Sequence, residues 1–203
     1  MANTPTIEER AIPTRTVLSF KTVGLSPEQF FRFCRDNPDL RIELTAQKEI
    51  IIMSPTGRRT GARNAEIIRQ LANWAKIDGR GTVCDSNTLF TLPNGAKRSP
   101  DASWILNSRT DAVIPNPRDP FDLICPDFVL ELWSPSDTLK QLQAKMVEYL
   151  ANGARLGFLV YPHKRQVWIH RPNHEPQCLE EPESVSGAPE LPGFTLDLTE
   201  IWK

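Results

Sequence analysis

Two acidic side chains enter hydrophobic, strand-like runs thirty positions apart: Asp101 in Ser99-Pro100-Asp101, and Glu131 in Phe128-Val129-Leu130-Glu131-Leu132-Trp133. A carboxylate ionised without a partner in such a run costs several kcal/mol, so a pair of them suggests a shared cation or a hydrogen-bonded rim. Alternation along a strand puts Val129, Glu131 and Trp133 on one face, and Asp101 on one face with Ser103 and Ile105. If the two strands adjoin, the carboxylates meet near one strand end. An oxygen-rich, partly hydrated arrangement of that kind suits a hard divalent ion such as Mg²⁺.

A third group follows on the next helix. Leu139, Leu142, Met146, Tyr149 and Leu150 make its apolar stripe, and at the helical step Lys145 falls on the stripe's edge beside Tyr149. An edge lysine lays its stem on apolar surface and carries its ammonium into a crevice, where it can orient a water or neutralise developing charge on phosphorus.

These residues must be held by a chain of 203 residues, 39% of them hydrophobic, which is enough for one sizeable core. The net charge is −1 and the pI about 6.3, so no global positive field draws in nucleic acid and any such contact must come from a local patch. Four cysteines lie far apart without a CxxC pair, which reads as reduced thiols. No apolar run approaches the roughly 18 residues of a membrane span, and the N-terminus, with Glu8 and Glu9, lacks a signal-like apolar region. The expectation is a cytoplasmic protein that does not enter a membrane. His170, His174 and Cys178 have metal-like spacing for a helix, but Pro172 breaks that helix. Ser54, Ser86 and Ser99 have no histidine nearby in the sequence for a serine-hydrolase triad.

Along the chain, residues 1–24 read as an N-terminal arm and 25–203 as a single domain. Ser26-Pro27-Glu28-Gln29 opens a helix that Asn37-Pro38 ends. Two β-prone runs, 40–44 and 50–53, suggest a hairpin, and 57–60 a loop. Ala65, Ile68, Leu71, Ala72 and Ala75 mark an amphipathic helix over 61–77. The runs 82–92 and 97–106 are joined by Pro93-Asn94-Gly95-Ala96, a strong hairpin signal. The nearly all-apolar 128–133 suits a strand covered on both faces. Ser134-Pro135-Ser136-Asp137 then caps a helix to about 151, ended by Asn152-Gly153, and strands over 156–161 and 166–171 follow. The acidic, proline-rich stretch 172–192 is expected to wrap the surface before 194–202 docks again. This order gives an α+β fold, with one central mixed sheet flanked by helices.

Taken in order, the residues resemble the PD-(D/E)XK nuclease superfamily. They look most like its large bacterial group of restriction-endonuclease-like proteins. The resemblance rests on Ser99-Pro100-Asp101, Glu131-Leu132-Trp133, and the helix carrying Lys145, Tyr149 and then Gly153. Supporting stretches are Arg41-Ile42-Glu43-Leu44 with Met53-Ser54-Pro55, 61–64 opening a helix, Leu92-Pro93-Asn94-Gly95, and Leu191-Pro192-Gly193-Phe194. It runs from about residue 25 to the end. The pattern calls for a lysine two positions after the glutamate, where this chain has Trp133, and Lys145 is the residue able to replace it from the neighbouring helix. The superfamily also often places an acid on its first core helix; Glu66 could fill that role, with Glu43 the competing choice.

The resemblance implies a Mg²⁺- or Mn²⁺-dependent DNA endonuclease of restriction-endonuclease-like α/β architecture. Asp101, Glu131 and the Leu132 carbonyl would hold the metal, and Lys145 would position the nucleophile. Cleavage would leave a 5′-phosphate. Arg58, Arg59, Arg63 and Arg69, with Lys97 and Arg98 just ahead of Asp101, would supply local positive charge for the DNA backbone. A homodimer is implied for cutting both strands. The competing reading is a catalytically weak or inert nuclease-fold module that binds nucleic acid or a protein partner, which Trp133 and the near-neutral charge favour.

Overall fold

The computed structural model describes residues 15–203. The first fourteen residues of the expected arm lie outside the described residues. The part of the arm that is described is extended, but it is built into a sheet. Strand β1 (Arg15–Ser19) pairs with a later strand, and the capping box predicted at Ser26 and Gln29 opens helix α1 (Pro27–Asp36). Strands β2 (Arg41–Leu44) and β3 (Glu49–Met53) form the expected hairpin.

Helix α2 (Arg58–Asp78) starts earlier than its apolar period indicates, because the backbone enters the helix at Gly57 with no side-chain cap to announce it. Its buried stripe is Ile67, Leu71 and Ala75, rotated from the predicted one so that Ala65 is exposed.

The predicted long hairpin is split in two. Strand β4 (Gly81–Asp85) pairs with β7 (Ala102–Leu106), whereas β5 (Phe90–Thr91) and β6 (Lys97–Arg98), which flank the Asn-Gly turn, belong to a different sheet. Gly95, at φ +82°, takes the left-handed conformation this turn needs. Ser99-Pro100-Asp101 is therefore the point where the chain crosses from one sheet to the other. A proline there is tolerated because no ladder hydrogen bond is asked of it.

A short helix α3 (Asn107–Thr110) follows, then a proline-rich loop and β8 (Phe128–Leu132), buried at all five positions. Helix α4 (Leu139–Ala151) is capped by Thr138 with Gln141 in a reciprocal box, one residue beyond the predicted cap. Asp137 instead closes its own turn, accepting from the Ser134 amide and hydroxyl. After α4 come β9 (Leu156–Tyr161) and β10 (Gln166–His170), where expected. The tail is more ordered than its composition suggests. It forms β11 (Gln177–Glu180), β12 (Ser184–Ser186) and β13 (Thr195–Asp197), and buries Phe194, Leu196, Leu198 and Ile201.

The strands make two larger sheets and a small hairpin where one central sheet was expected. The six-stranded sheet has the order β11-β10-β9-β8-β7-β4, parallel only between β8 and β9, and is the central mixed sheet. Helix α4 is the crossover those parallel neighbours require. The second sheet, β1-β3-β2-β6-β5, is antiparallel throughout, and β12 pairs with β13.

Alternation splits the core in the way the sequence indicates. Ala102, Trp104, Phe128, Leu130 and Leu132 face α2 and the tail, whereas Ile105, Val129 and Leu159 face Leu142, Met146 and Tyr149 of α4. A third cluster joins Phe30 of α1 to Ile42, Leu44 and Ile50 of the second sheet. No described helix is long and apolar enough to cross a membrane.

Candidate active site

β7 and β8 are antiparallel neighbours with Ala102 opposite Leu130 and Ser103 opposite Val129. Asp101 and Glu131 each lie one step beyond Ala102 and Leu130, on the α4 side of the sheet. Asp101 Oδ2 accepts the Leu132 amide at 2.9 Å, which ties the two strand ends together. Arg41 donates to its other oxygen at 3.3 Å.

The Lys145 ammonium reaches in from α4 and lies 2.8 Å from Glu131 Oε1 and 2.8 Å from Glu43 Oε1. Tyr149, one turn further along α4, donates its hydroxyl to the same Glu131 oxygen at 2.9 Å. Both donors converge on Oε1, which leaves Oε2 of Glu131 for a further positive partner.

Of the two competing acids, the structure brings Glu43 to this cluster and not Glu66. Glu43 sits in β2, where burial of Ile42 and Leu44 turns its own side chain to the opposite face, toward the cleft. It accepts from the Ser99 amide at 2.9 Å and from Arg98 at 3.1 Å, and Arg98 in turn bonds Glu148 at 2.6 Å. Glu66 is instead paired to Arg69 and Gln70 on the outer face of α2. The two sheets thus contribute one wall each, and Ser99-Pro100-Asp101 is the seam between them.

Electrostatics follow from burial. Burial pushes Glu43 up, but Lys145, Arg98 and the Ser99 amide together hold it down to about 2. Glu131 moves the other way. Burial pushes it up to about 7, Lys145 offsets only part of that, and the Asp101 and Glu43 charges add to it. Burial also raises Asp101 despite Arg41 and the Leu132 amide. Lys145 is raised against its burial by the two glutamates.

These groups line a cleft of about 660 Å³ between α2, α4 and the two sheets. Its charged lining is Arg15, Arg41, Arg98 and Lys145 against Glu43, Asp101, Glu131, Asp137 and Glu148, one carboxylate more than it has cations. A hard cation beside Asp101 and Glu131 fits this donor set, since these two acids are the ones left short of positive charge. No group of three or more His, Cys, Asp or Glu among the described residues forms a ready-made metal cage, so the fit is to two acids, backbone and water.

The basic residues expected to meet DNA divide. Lys97 is 2% exposed and locked to Asp119 and Thr91, each at 2.6 Å, with the Phe121 ring 5.0 Å away. Arg98 is likewise buried, in its pairs with Glu43 and Glu148. Both are committed to these pairs because each follows the Asn-Gly turn back into the seam, where Lys97 is enclosed and Arg98 reaches only the cleft lining. Arg58, Arg59 and Arg63 do lie at the surface, around a second depression of about 470 Å³ shared with Glu66, Glu200 and Lys203.

Trp133, at the position where the superfamily pattern has lysine, packs its ring 4.7 Å from Tyr161 and donates to the Asp137 carbonyl. Arg41 and Glu148 also join the site, through Asp101 and Arg98, although no expected role fell on them. Period two from Glu43 and one helical turn from Lys145 put each on the same face as its neighbour, which is the signal that reveals them.

The fold matches that of a known protein. One solved structure, described as a "putative nuclease belonging to DUF820" from Anabaena variabilis ATCC 29413, superposes with a TM-score of 0.73 at 20% identity, covering 88% of this chain and 98% of that one. At that identity the likeness speaks for a shared fold. No curated protein matches the chain. The model of the Uma2 family, described as "putative restriction endonuclease", matches residues 27–199, from the start of α1 to just past β13 and across every member of the acidic cluster. The chain therefore belongs to the Uma2 family and has the restriction-endonuclease-like fold.

Proposed function

We propose that this protein is a metal-dependent endonuclease that hydrolyses phosphodiester bonds of DNA in the cleft between α2 and α4. One observation carries the reading. Two carboxylates, the half-buried Asp101 and the buried Glu131, stand side by side and undercompensated, and an ammonium on the adjacent helix is already in contact with one of them. Family membership and fold support nuclease chemistry in general. The metal, the DNA substrate and the residue roles are this proposal's own.

Asp101, Glu131 and the Leu132 carbonyl would hold Mg²⁺ or Mn²⁺, which when bound lowers the pKa of a coordinated water and screens the scissile phosphate. Tyr149 fixes the Glu131 carboxylate by its hydrogen bond. Lys145 holds its ammonium at the acidic pair, where it orients the attacking water and stabilises charge developing on the phosphoryl oxygens. Glu43, kept ionised by Arg98 and Lys145, sets the position of that ammonium from the other side.

The alternative, an inert nuclease-fold module, draws on the fact that Lys145 already closes the network by pairing two of the acids. Incubation of supercoiled plasmid with Mg²⁺ or Mn²⁺ separates the two. The endonuclease reading predicts nicking by the wild type that disappears in Asp101→Ala and Glu131→Ala. Equal nicking by all three proteins marks a contaminant and removes the reading, and no nicking by the wild type favours the inert module.

A further inference from the structure

At the mouth of the cleft, the second sheet presents two arginines that the network above does not use up. Arg15 of β1 and Arg41 of β2 both stand opposite Met53 of β3, one on each side. Residues in register across adjacent strands point to the same face, so Arg15, Met53 and Arg41 form one row, and all three line the cleft. Two strand spacings separate the arginine backbones, about 10 Å.

The Nε of each guanidinium is buried and meets no acceptor among the described residues. Arg41 has only long contacts through Nη2, 3.3 Å to Asp101 and 3.4 Å to the Ser99 carbonyl. Both arginines are partly exposed, whereas Glu43 and Glu131 are 2% and 4% exposed. Charge in the cleft is therefore layered: acids at the bottom, and forked donors with unspent capacity on one wall above them.

From this row we infer that Arg15 and Arg41 are a phosphate clamp. They grip the nucleic-acid strand at a phosphate next to the scissile one and deliver the scissile group to Asp101 and Glu131. A guanidinium offers its donors in a planar fork matched to phosphate oxygens, so an unpartnered Nε beside an Nη is the half of the fork that a phosphate completes. Lys97 and Arg98, spent on internal pairs, cannot serve this purpose. The inference deepens the endonuclease reading and rests on it for the identity of the ligand. Arg15 and Arg41 are positioning residues, and hydrolysis stays with the acids and Lys145.

The test is binding of a fluorescein-labelled single-stranded oligodeoxynucleotide, read by anisotropy in EDTA across a salt series, with plasmid nicking run in parallel. Arg15→Gln and Arg41→Gln should each weaken binding about tenfold and reduce the slope of log affinity against log salt by about one, and Arg→Lys should restore the slope but only part of the affinity. Arg35→Gln, on exposed α1, should match wild type. Arg15→Gln, on an edge strand and free of the catalytic carboxylates, keeps the test clear of misfolding. In nicking, the Gln variants should raise KM more than they lower kcat.

Affinity and salt slope unchanged in both folded Gln variants, or a wild type that binds no oligonucleotide, overturns the clamp. Asp101→Asn tells the two ideas apart. If it abolishes nicking while the arginine variants bind like wild type, the clamp falls and the endonuclease reading stands. If it nicks like wild type while the arginine variants lose binding, the reading falls and the clamp stands.

Discussion

Lys145 does two things at once, and its replacement should expose both. Among the described residues it is the only group that touches both Glu43 and Glu131, so Lys145→Met leaves two buried carboxylates with one cation fewer between them. Breaking a buried pair from one side typically costs about 3–5 kcal/mol, part of which Glu131 recovers by taking up a proton. The expected result is a folded protein with a lowered Tm and nicking reduced at least about a hundredfold, measured by thermal denaturation and plasmid assay.

The pH dependence has a definite sign. Glu131 is raised in the folded protein, to about 7 from an ordinary 4.5, so the native state holds a proton that the unfolded chain releases between those values. Its stabilising contribution is complete below pH 4.5 and is lost as pH rises through 7, by roughly 1–3 kcal/mol. Glu43, lowered to about 2, contributes above pH 4.5 and loses its contribution as pH falls toward 2. The Tm of wild type should therefore decline from pH 5 to pH 7.5 relative to Glu131→Gln, in chelator. Activity should climb over the same interval, because protons and metal compete for one carboxylate. Tyr149→Phe removes a donor to the ionised form of Glu131 and should shift that climb to higher pH.

At the level of elements, α4 matters because it is both the crossover between β8 and β9 and the carrier of Lys145 and Tyr149. Its first turn is held by Thr138 and Gln141, so Thr138→Ala should cost about 1 kcal/mol in a denaturant titration. A loss of activity larger than that loss of stability would show the cap fixing the ammonium's place as well as the helix.

The elements also show what was legible in the sequence. Strand alternation correctly set Asp101 and Glu131 on one face, and helical period put Lys145 at its crevice, because both are local geometry. That Glu43 and not Glu66 joins them was not legible, since it depends on the second sheet docking at Ser99-Pro100-Asp101. The buried fate of Lys97 and Arg98 was hidden for the same reason. A Lys-Arg pair beside a turn reads as surface until the partners Asp119, Glu43 and Glu148, all distant in sequence, are seen to surround it. The docking of 194–202 was legible from its apolar residues and holds, but the short strands β11 to β13 were not, because they have no period of their own.

For the molecule as a whole, the excess of negative charge in the cleft should make stability depend on metal. A ligand bound by the folded state alone stabilises by about 2.7 kcal/mol at a hundred times its Kd. For a chain of this size that is a Tm rise of about 5–10 °C with Mg²⁺ or Mn²⁺, expected in wild type and absent in Asp101→Asn. An equal rise in both would place the ion elsewhere. With a near-neutral net charge, the proposed DNA binding would draw on the arginine row and the Arg58, Arg59 and Arg63 surface, so binding of an oligodeoxynucleotide should weaken steeply with salt.

The most direct measurement is anomalous scattering from crystals soaked in Mn²⁺. A peak within coordination distance of both the Asp101 and the Glu131 carboxylates, with the Lys145 ammonium still at the edge of the cluster, is the predicted result. Well-ordered carboxylates with no peak between them, or a peak only at some other site on the molecule, would contradict a metal-dependent centre in this cleft.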